Sequence, residues 1–395
     1  MSISRKVKAA SSQSSMIRRM FEEGAILKKK FGADKVYDFS LGNPNVEPPD
    51  EFKRELISLA GKNIPLKHGY TPNAGYYETR QAVAAKIGKT TGLKMSADHI
   101  IMSCGAGGAL NVILKALLDP GDEVIVLQPF FVEYPFYIDN SGGIVKYAST
   151  KSDFSPDIEA IDRAITGKTK AVIINSPNNP TGKVYSAVNI ADIALLLTEK
   201  GKKLNKTIYL VSDEPYSEIV YDNVTVPSIL KAYKNSIIAY SYSKTLSLPG
   251  ERIGYIAVNP TVEECNDLIN ALILCTRILG YVNAPSLMQR IIAGLQDVKV
   301  DVDVYQRKRD LLCSGLAAAG YKFEKPEGAF YLFPQTPIPD DVEFIRVLLK
   351  RNILAVPGSG FNCPGYFRIA YCVDDSTIIN SLDGFAKAID ECRQP

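Results

Sequence analysis

Histidine is nearly missing: only His68 and His99 occur in 395 residues. Two imidazoles leave little room for a His-based metal site or a Ser-His-Asp relay, so proton chemistry near neutrality falls to another residue or to a cofactor. The seven cysteines are scattered, odd in number and without a C-x-x-C pair. That pattern argues against a disulfide framework and a zinc knuckle and points to a reducing compartment. No apolar run reaches the roughly 18 residues of a membrane span. The opening MSISRKVKAASSQSSMIRRM lacks the apolar stretch of a signal peptide, which makes a cytoplasmic enzyme or binding protein the expectation. Charge of one sign is also lacking: 46 Lys plus Arg face 43 Asp plus Glu, too balanced for a nucleic-acid footprint. The clusters Arg18-Arg19 and Lys28-Lys29-Lys30 read as a solvated helix face, and no repeat or low-complexity stretch interrupts the chain.

What is present is alternation. Short, nearly continuous apolar runs recur at 100–103, 123–129, 171–177, 208–214, 237–243 and 253–258, as strands buried on both faces require. Between them lie stretches with helical spacing, such as Leu110, Ile113, Leu114 and Leu117, then Ile190, Ile193, Leu196 and Leu197. Strands alternating with helices predict an α/β fold: a three-layer αβα large domain on a mostly parallel sheet. After about Asn283 the pattern shifts to longer helices (284–295, 302–319) followed by "GAFYLF" and "GYFRIAY", strands of a smaller α+β domain. The expected organisation is an N-terminal arm and part of the small domain over 1–45, a large cofactor-binding domain over 46–283 and a small C-terminal domain over 284–395. A helix near 15–31 precedes the main sheet.

In open α/β sheets ligands bind beyond the carboxyl ends of the strands. Those ends carry Gly105-Ala106-Gly107-Gly108, Phe130-Phe131, Asn178-Asn179-Pro180-Thr181-Gly182, Asp213 with Tyr216, and Ser241-Tyr242-Ser243-Lys244. Three glycines between a strand and a helix suit a phosphate on backbone amides, or simply a tight turn. As a dinucleotide fingerprint the match fails, because Leu110 stands at the third glycine position. Lys244 follows an apolar run, where desolvation would favour the neutral amine; the plain alternative is a surface lysine. Arg252 could fork a phosphate or pair with a carboxylate. Asp213 closing an apolar strand calls for a partner, which a cationic ring nitrogen would supply as well as a salt bridge or a helix cap. Tyr216 and the Asn179 amide could address the same ligand or serve packing and turn geometry, and Phe131 is core unless a flat ligand stacks on it. Pyridoxal phosphate explains the whole set together: an aldehyde for the lysine, a ring nitrogen for the acid, a phenolic oxygen, a phosphate and a flat face.

The motifs "NSPNNPTG", "SDEPY", "SYSKTLSLPGERIGY" and "VPGSGFNCPGYFRIAY" occur in an order and spacing that resemble the class I/II aminotransferases of the pyridoxal-phosphate fold type I superfamily, over about Asp38 to Tyr371. The resemblance implies Lys244 as the Schiff-base lysine, Asp213 on the pyridinium nitrogen, and Asn179 with Tyr216 on the phenolic oxygen. It implies phosphate contacts from Gly105, Ala106, Gly107, Ser241 and Arg252, with Phe131 stacked on the ring. Arg368 corresponds to the arginine that grips the substrate α-carboxylate and Gly42 to a glycine lying over the substrate. Tyr70 corresponds to a tyrosine that reaches the partner's phosphate across a homodimer, and Asn283 to a residue near that interface.

The implied activity is amino transfer between an L-amino acid and a 2-oxo acid such as 2-oxoglutarate. Aspartate is slightly favoured, with aromatic acids or alanine as further donors. One aspartate-specific subgroup carries a lysine where this chain has Gly107, and another an arginine where it has Ile278 beside Arg277, so side-chain specificity stays open. A β-lyase or an aminocyclopropane-carboxylate-synthase-like enzyme would keep the same lysine and acid. A nucleotide-dependent oxidoreductase built on the Gly105 turn is the alternative of another class, and a regulatory protein derived from an aminotransferase a third.

Overall fold

The apolar runs become strands of one central sheet in the computed structural model, which describes residues 3–8 and 16–393. After the short β1 (Tyr37–Asp38) come β2 (Ile100–Ser103), β3 (Glu123–Gln128), β4 (Ile144–Ser149), β5 (Thr169–Asn175), β6 (Tyr209–Asp213), β7 (Ser236–Ser241) and β8 (Gly254–Val258). The spatial order is β2-β8-β7-β6-β5-β3-β4. All pairs from β7 to β4 are parallel; β8 alone runs against both neighbours. The sheet is therefore mostly parallel, as expected.

Strand periodicity sends alternate residues to opposite faces. Ile125, Leu127, Val172, Ile174 and Leu210 pack into one core; Val124, Val126, Ala171, Ile173 and Val211 pack into another on the opposite side. Helices cover both: Gly105–Leu117 buries Leu110, Ile113 and Leu114 on the second face, while Ala187–Leu204 buries Ile190, Ile193 and Leu197 on the first. β4 was not anticipated. It is an edge strand whose only fully buried residue is Ala148, so it lacks the continuous apolar run that marks its neighbours.

The later part of the chain forms β9 (Tyr331–Leu332), β10 (Ile353–Leu354), β11 (Val356–Pro357) and β12 (Phe367–Ala370). An antiparallel sheet β11-β12-β9 and the parallel pair β1 with β10 pack against helices Val302–Ala318, Asp341–Leu349 and Asp375–Arg393. Their shared core includes Phe39, Leu312, Phe330, Phe344, Phe367 and Phe385, an α+β unit that draws in residues near position 39. The helix Ser286–Ala293 instead places Met288, Ile291 and Ile292 in the core of the central sheet, with Val83 and Ala84. A helix spans Met16–Phe31; Ser15 and the side chains of Arg18 and Arg19 lie outside the described residues. Among the described residues no helix is long and apolar enough to cross a membrane.

Candidate active site

Strand parity delivers three polar side chains to one place. Along β5, β6 and β7 the face carrying Ala171, Ile173, Val211, Ile237 and Ala239 ends at Asn175, Asp213 and Ser241, all buried. The register aligns Asn175 with Asp213 and Asp213 with Ala239. On this same face the helix Gly105–Leu117 begins, so its free N–H groups open toward the strand ends. Beyond them lies a cavity of about 660 Å³ lined by Gly42, Ala106, Gly107, Phe131, Asn179, Asp213, Tyr216, Ser241, Lys244, Arg252 and Arg368. Eleven of the fourteen residues to which the resemblance assigns a place thus meet in one volume. Gly105 stands at its edge with φ +72, where a Cβ would come within 2.9 Å of the Arg252 guanidinium.

Asp213 is buried, and its Oδ2 accepts a 2.6 Å bond from the Tyr134 hydroxyl. Its Oδ1 has no partner. Burial pushes its carboxyl from the ordinary 3.8 up to about 7, against the opposing pull of the Tyr134 bond. Lys244 donates from Nζ to the carbonyl of Gly42 at 2.8 Å and lies 5.4 Å from the Phe330 ring centre. Removal from water lowers its ammonium from 10.5 to about 8, so the surface-lysine alternative is not met.

Arg368 is more unusual. It is buried, yet its guanidinium meets only neutral groups: NH1 donates to Asn179 Oδ1 at 3.0 Å and NH2 to the Ser40 carbonyl at 2.6 Å. Its Nε has no partner. The rings of Tyr331 and Phe361 lie 4.7 and 4.8 Å from it, and burial lowers its pKa. Among the described residues it forms no ion pair, and an uncompensated buried cation favours an incoming anion. Arg252 likewise contacts carbonyls, those of Pro249 and Cys104 at 3.1 and 3.3 Å, at the mouth of the cavity.

Several members of the site escaped sequence reasoning. Tyr134, which opens the helix six residues after β3 ends, passes for an apolar core residue, as does Tyr331, whose hydroxyl lies 2.8 Å from that of Tyr216. Asn175 ties the site together: its side-chain amide donates to the Asp213 carbonyl at 2.8 Å and its Oδ1 accepts from the backbone N–H of Asn179 at 2.7 Å. Gly42 is required by close approach: a Cβ there would fall 1.9 Å from the Tyr331 hydroxyl. Tyr70, by contrast, is 89% exposed and outside the cavity. Arg277 is exposed at the end of the helix Cys265–Ile278, and Asn283 spends its amide on the Ala284 carbonyl at 2.7 Å.

A half-buried lysine and a buried aspartate at strand ends, a glycine-rich helix start and, among the described residues, an unpaired arginine agree with what sequence comparison shows. Residues 34–385 match the family model of aminotransferase class I and II, and the chain belongs to that family. It is accordingly an aminotransferase. It is 33% identical over 371 residues to the aspartate/prephenate aminotransferase of Thermus thermophilus, covering 92% of this chain and 94% of that protein. To the aspartate aminotransferase of Thermotoga maritima it is 32% identical, covering 91% and 92%. The crystal structure of an amino transferase from Eubacterium rectale superposes with a TM-score of 0.97 at 38% identity over the whole of both chains. That of the Thermus thermophilus aspartate aminotransferase with maleate gives 0.87 at 30% identity, covering 98% and 100%.

Proposed function

We propose that this aminotransferase works with pyridoxal phosphate held in the cavity described above, moving an amino group between an L-amino acid and a 2-oxo acid. The observation that carries the reading is the pairing, in one cavity, of a lysine depressed to about 8 with a buried carboxylate whose Oδ1 is free. Bound there, the cofactor supplies an aldehyde for an amine and a cationic ring that withdraws electrons from the substrate α-carbon.

The chain's own residues do the rest. Asp213 would offer its free Oδ1 to the ring cation, while the Tyr134 hydroxyl fixes the carboxylate through Oδ2. Lys244, its ammonium lowered to about 8, would supply a neutral amine for the aldehyde and a base for the proton of the substrate α-carbon. Ser241, Arg252 and the amides at Gly105, Ala106 and Gly107 would hold the phosphate; Phe131 would cover the ring; Asn179 and Tyr216 would address its phenolic oxygen. Arg368 would grip the α-carboxylate, and Gly42 leaves room above the substrate.

Aspartate is the first donor to test, because curated relatives carry its name. The assembly we propose is a cytoplasmic homodimer in which the exposed Tyr70 reaches the partner's phosphate. Within each chain the two units divide near 299, since Val298 packs on the central-sheet core and Val300 joins the other.

Purified protein should be yellow. Borohydride should attach the cofactor to Lys244, readable by peptide mass, and Lys244→Ala should lose both colour and amino transfer. A colourless wild type that stays inactive after cofactor is added overturns the reading. Recovery of the amine form of the cofactor together with a 2-oxo acid separates transamination from β-elimination.

A further inference from the structure

Five charged side chains line the cavity: Glu133, Asp213, Lys244, Arg252 and Arg368. Four have tasks under the proposed function, on which this inference rests. Glu133 has none. It stands half-buried two residues after Phe131, where the chain leaves β3 and turns into the helix Tyr134–Asn140. Although it occupies the cap position of that helix, its side chain caps nothing. Among the described residues its carboxylate has neither hydrogen bond nor ion pair, and burial raises its pKa with no neighbour opposing the rise. Phe131, Val132 and Glu133 thus lay three successive side chains along the cavity wall, the last of them an acid held there without a structural partner.

The charge inventory turns this into a statement about substrates. The cations are spent: Lys244 on the reacting carbon, Arg252 at the phosphate end, Arg368 on the α-carboxylate. Arg277 is exposed outside the cavity. Among the described residues no lining cation is left for a second carboxylate, and the charge that is left over is negative. We propose that Glu133 is a specificity-determining residue that faces the side chain of the amino acid, opposing a second carboxylate and favouring a side chain that brings a cation or an N–H donor. Like charges in a partly desolvated cavity repel strongly enough to discriminate substrates, and repulsion is as effective a source of selectivity as a new contact.

The test uses the intact, cofactor-loaded wild type with Glu133→Gln and Glu133→Asp, and follows the single-turnover reaction with donor alone, so that no dicarboxylic acceptor intrudes. Rates per donor concentration are compared for aspartate, alanine and lysine through the loss of the lysine-bound cofactor's absorbance. In E133Q the aspartate-to-alanine ratio should rise about tenfold or more while the lysine-to-alanine ratio falls. E133D, which keeps the charge, should stay within about threefold of wild type. A merely structural role would slow all three donors together and leave the ratios alone, and unchanged ratios in E133Q overturn the inference. If the wild type shows no cofactor absorbance to lose, the proposed function itself has failed, and an intact absorbance with unmoved ratios marks failure of the Glu133 assignment only.

Discussion

The hydroxyl of Tyr134 donates to Oδ2 of Asp213 at 2.6 Å and leaves Oδ1 of the same carboxylate bare. One oxygen is fixed by the protein and the other is presented to the cavity. A bond to a buried carboxylate contributes roughly 1.5–3 kcal/mol. Tyr134→Phe should therefore weaken cofactor retention about tenfold to a hundredfold, measured by equilibrium dialysis against pyridoxal phosphate, with little change in the apparent affinity for amino acid. An unchanged cofactor affinity would show that the hydroxyl orients nothing.

The same burial makes the stability of the cofactor-free protein depend on pH. Asp213 and Glu214 are each raised to about 7, chiefly by desolvation. Between about pH 4 and 7 the folded state therefore holds protons that the unfolded chain has released, and stability falls as pH rises. Lys244 acts in the other window: its pKa is lowered to about 8, so between about pH 8 and 10.5 the unfolded chain holds the extra proton and stability rises with pH. Asp213→Asn should remove roughly half of the acid-side fall, of the order of 2–4 kcal/mol. Urea midpoints of wild type and variant at pH 4.5 and 7 check this, and parallel pH curves refute it.

For Arg368 the fork matters more than the charge. Its two terminal nitrogens already reach Asn179 and Ser40 from one plane, and Lys cannot reproduce that geometry. Arg368→Lys should raise KM for amino acid and 2-oxo acid alike, lowering kcat/KM by about a hundredfold, while the cofactor's absorbance stays in place. Steady-state kinetics with both substrates varied would expose the alternative, a loss confined to one of them.

Gly42 offers a steric test. Gly42→Ala puts a methyl 1.9 Å from the Tyr331 hydroxyl and 2.7 Å from the ring carbon that bears it. Displacing that ring disturbs its contact with Arg368, and moving the Gly42 carbonyl disturbs Lys244. Activity should fall by about two orders of magnitude, and Tyr331→Phe in the same chain should restore only part of it, because the ring carbon still clashes. Full recovery would place the clash on the oxygen alone.

Legibility in the sequence followed the range of the interaction. The strands of the central sheet announce themselves because each is buried on both faces, and Lys244 and Asp213 because they stand where such a run ends. β4 is half-exposed along an edge and gives no such run. Tyr134 and Tyr331 find their partners 79 and 115 positions away, so nothing near them in the chain distinguishes a site tyrosine from a core one. Arg368 was visible through its motif, but the fact that gives it meaning, burial without a counter-charge, belongs to the folded molecule.

The pairing of β1 with β10 tethers the stretch leading to Ser40 and Gly42 to the same core that carries Arg368, whereas Asp213 and Ser241 end strands of the central sheet. The reaction vessel is thus a seam, its chemical wall and its gripping wall built by separate layers of the molecule.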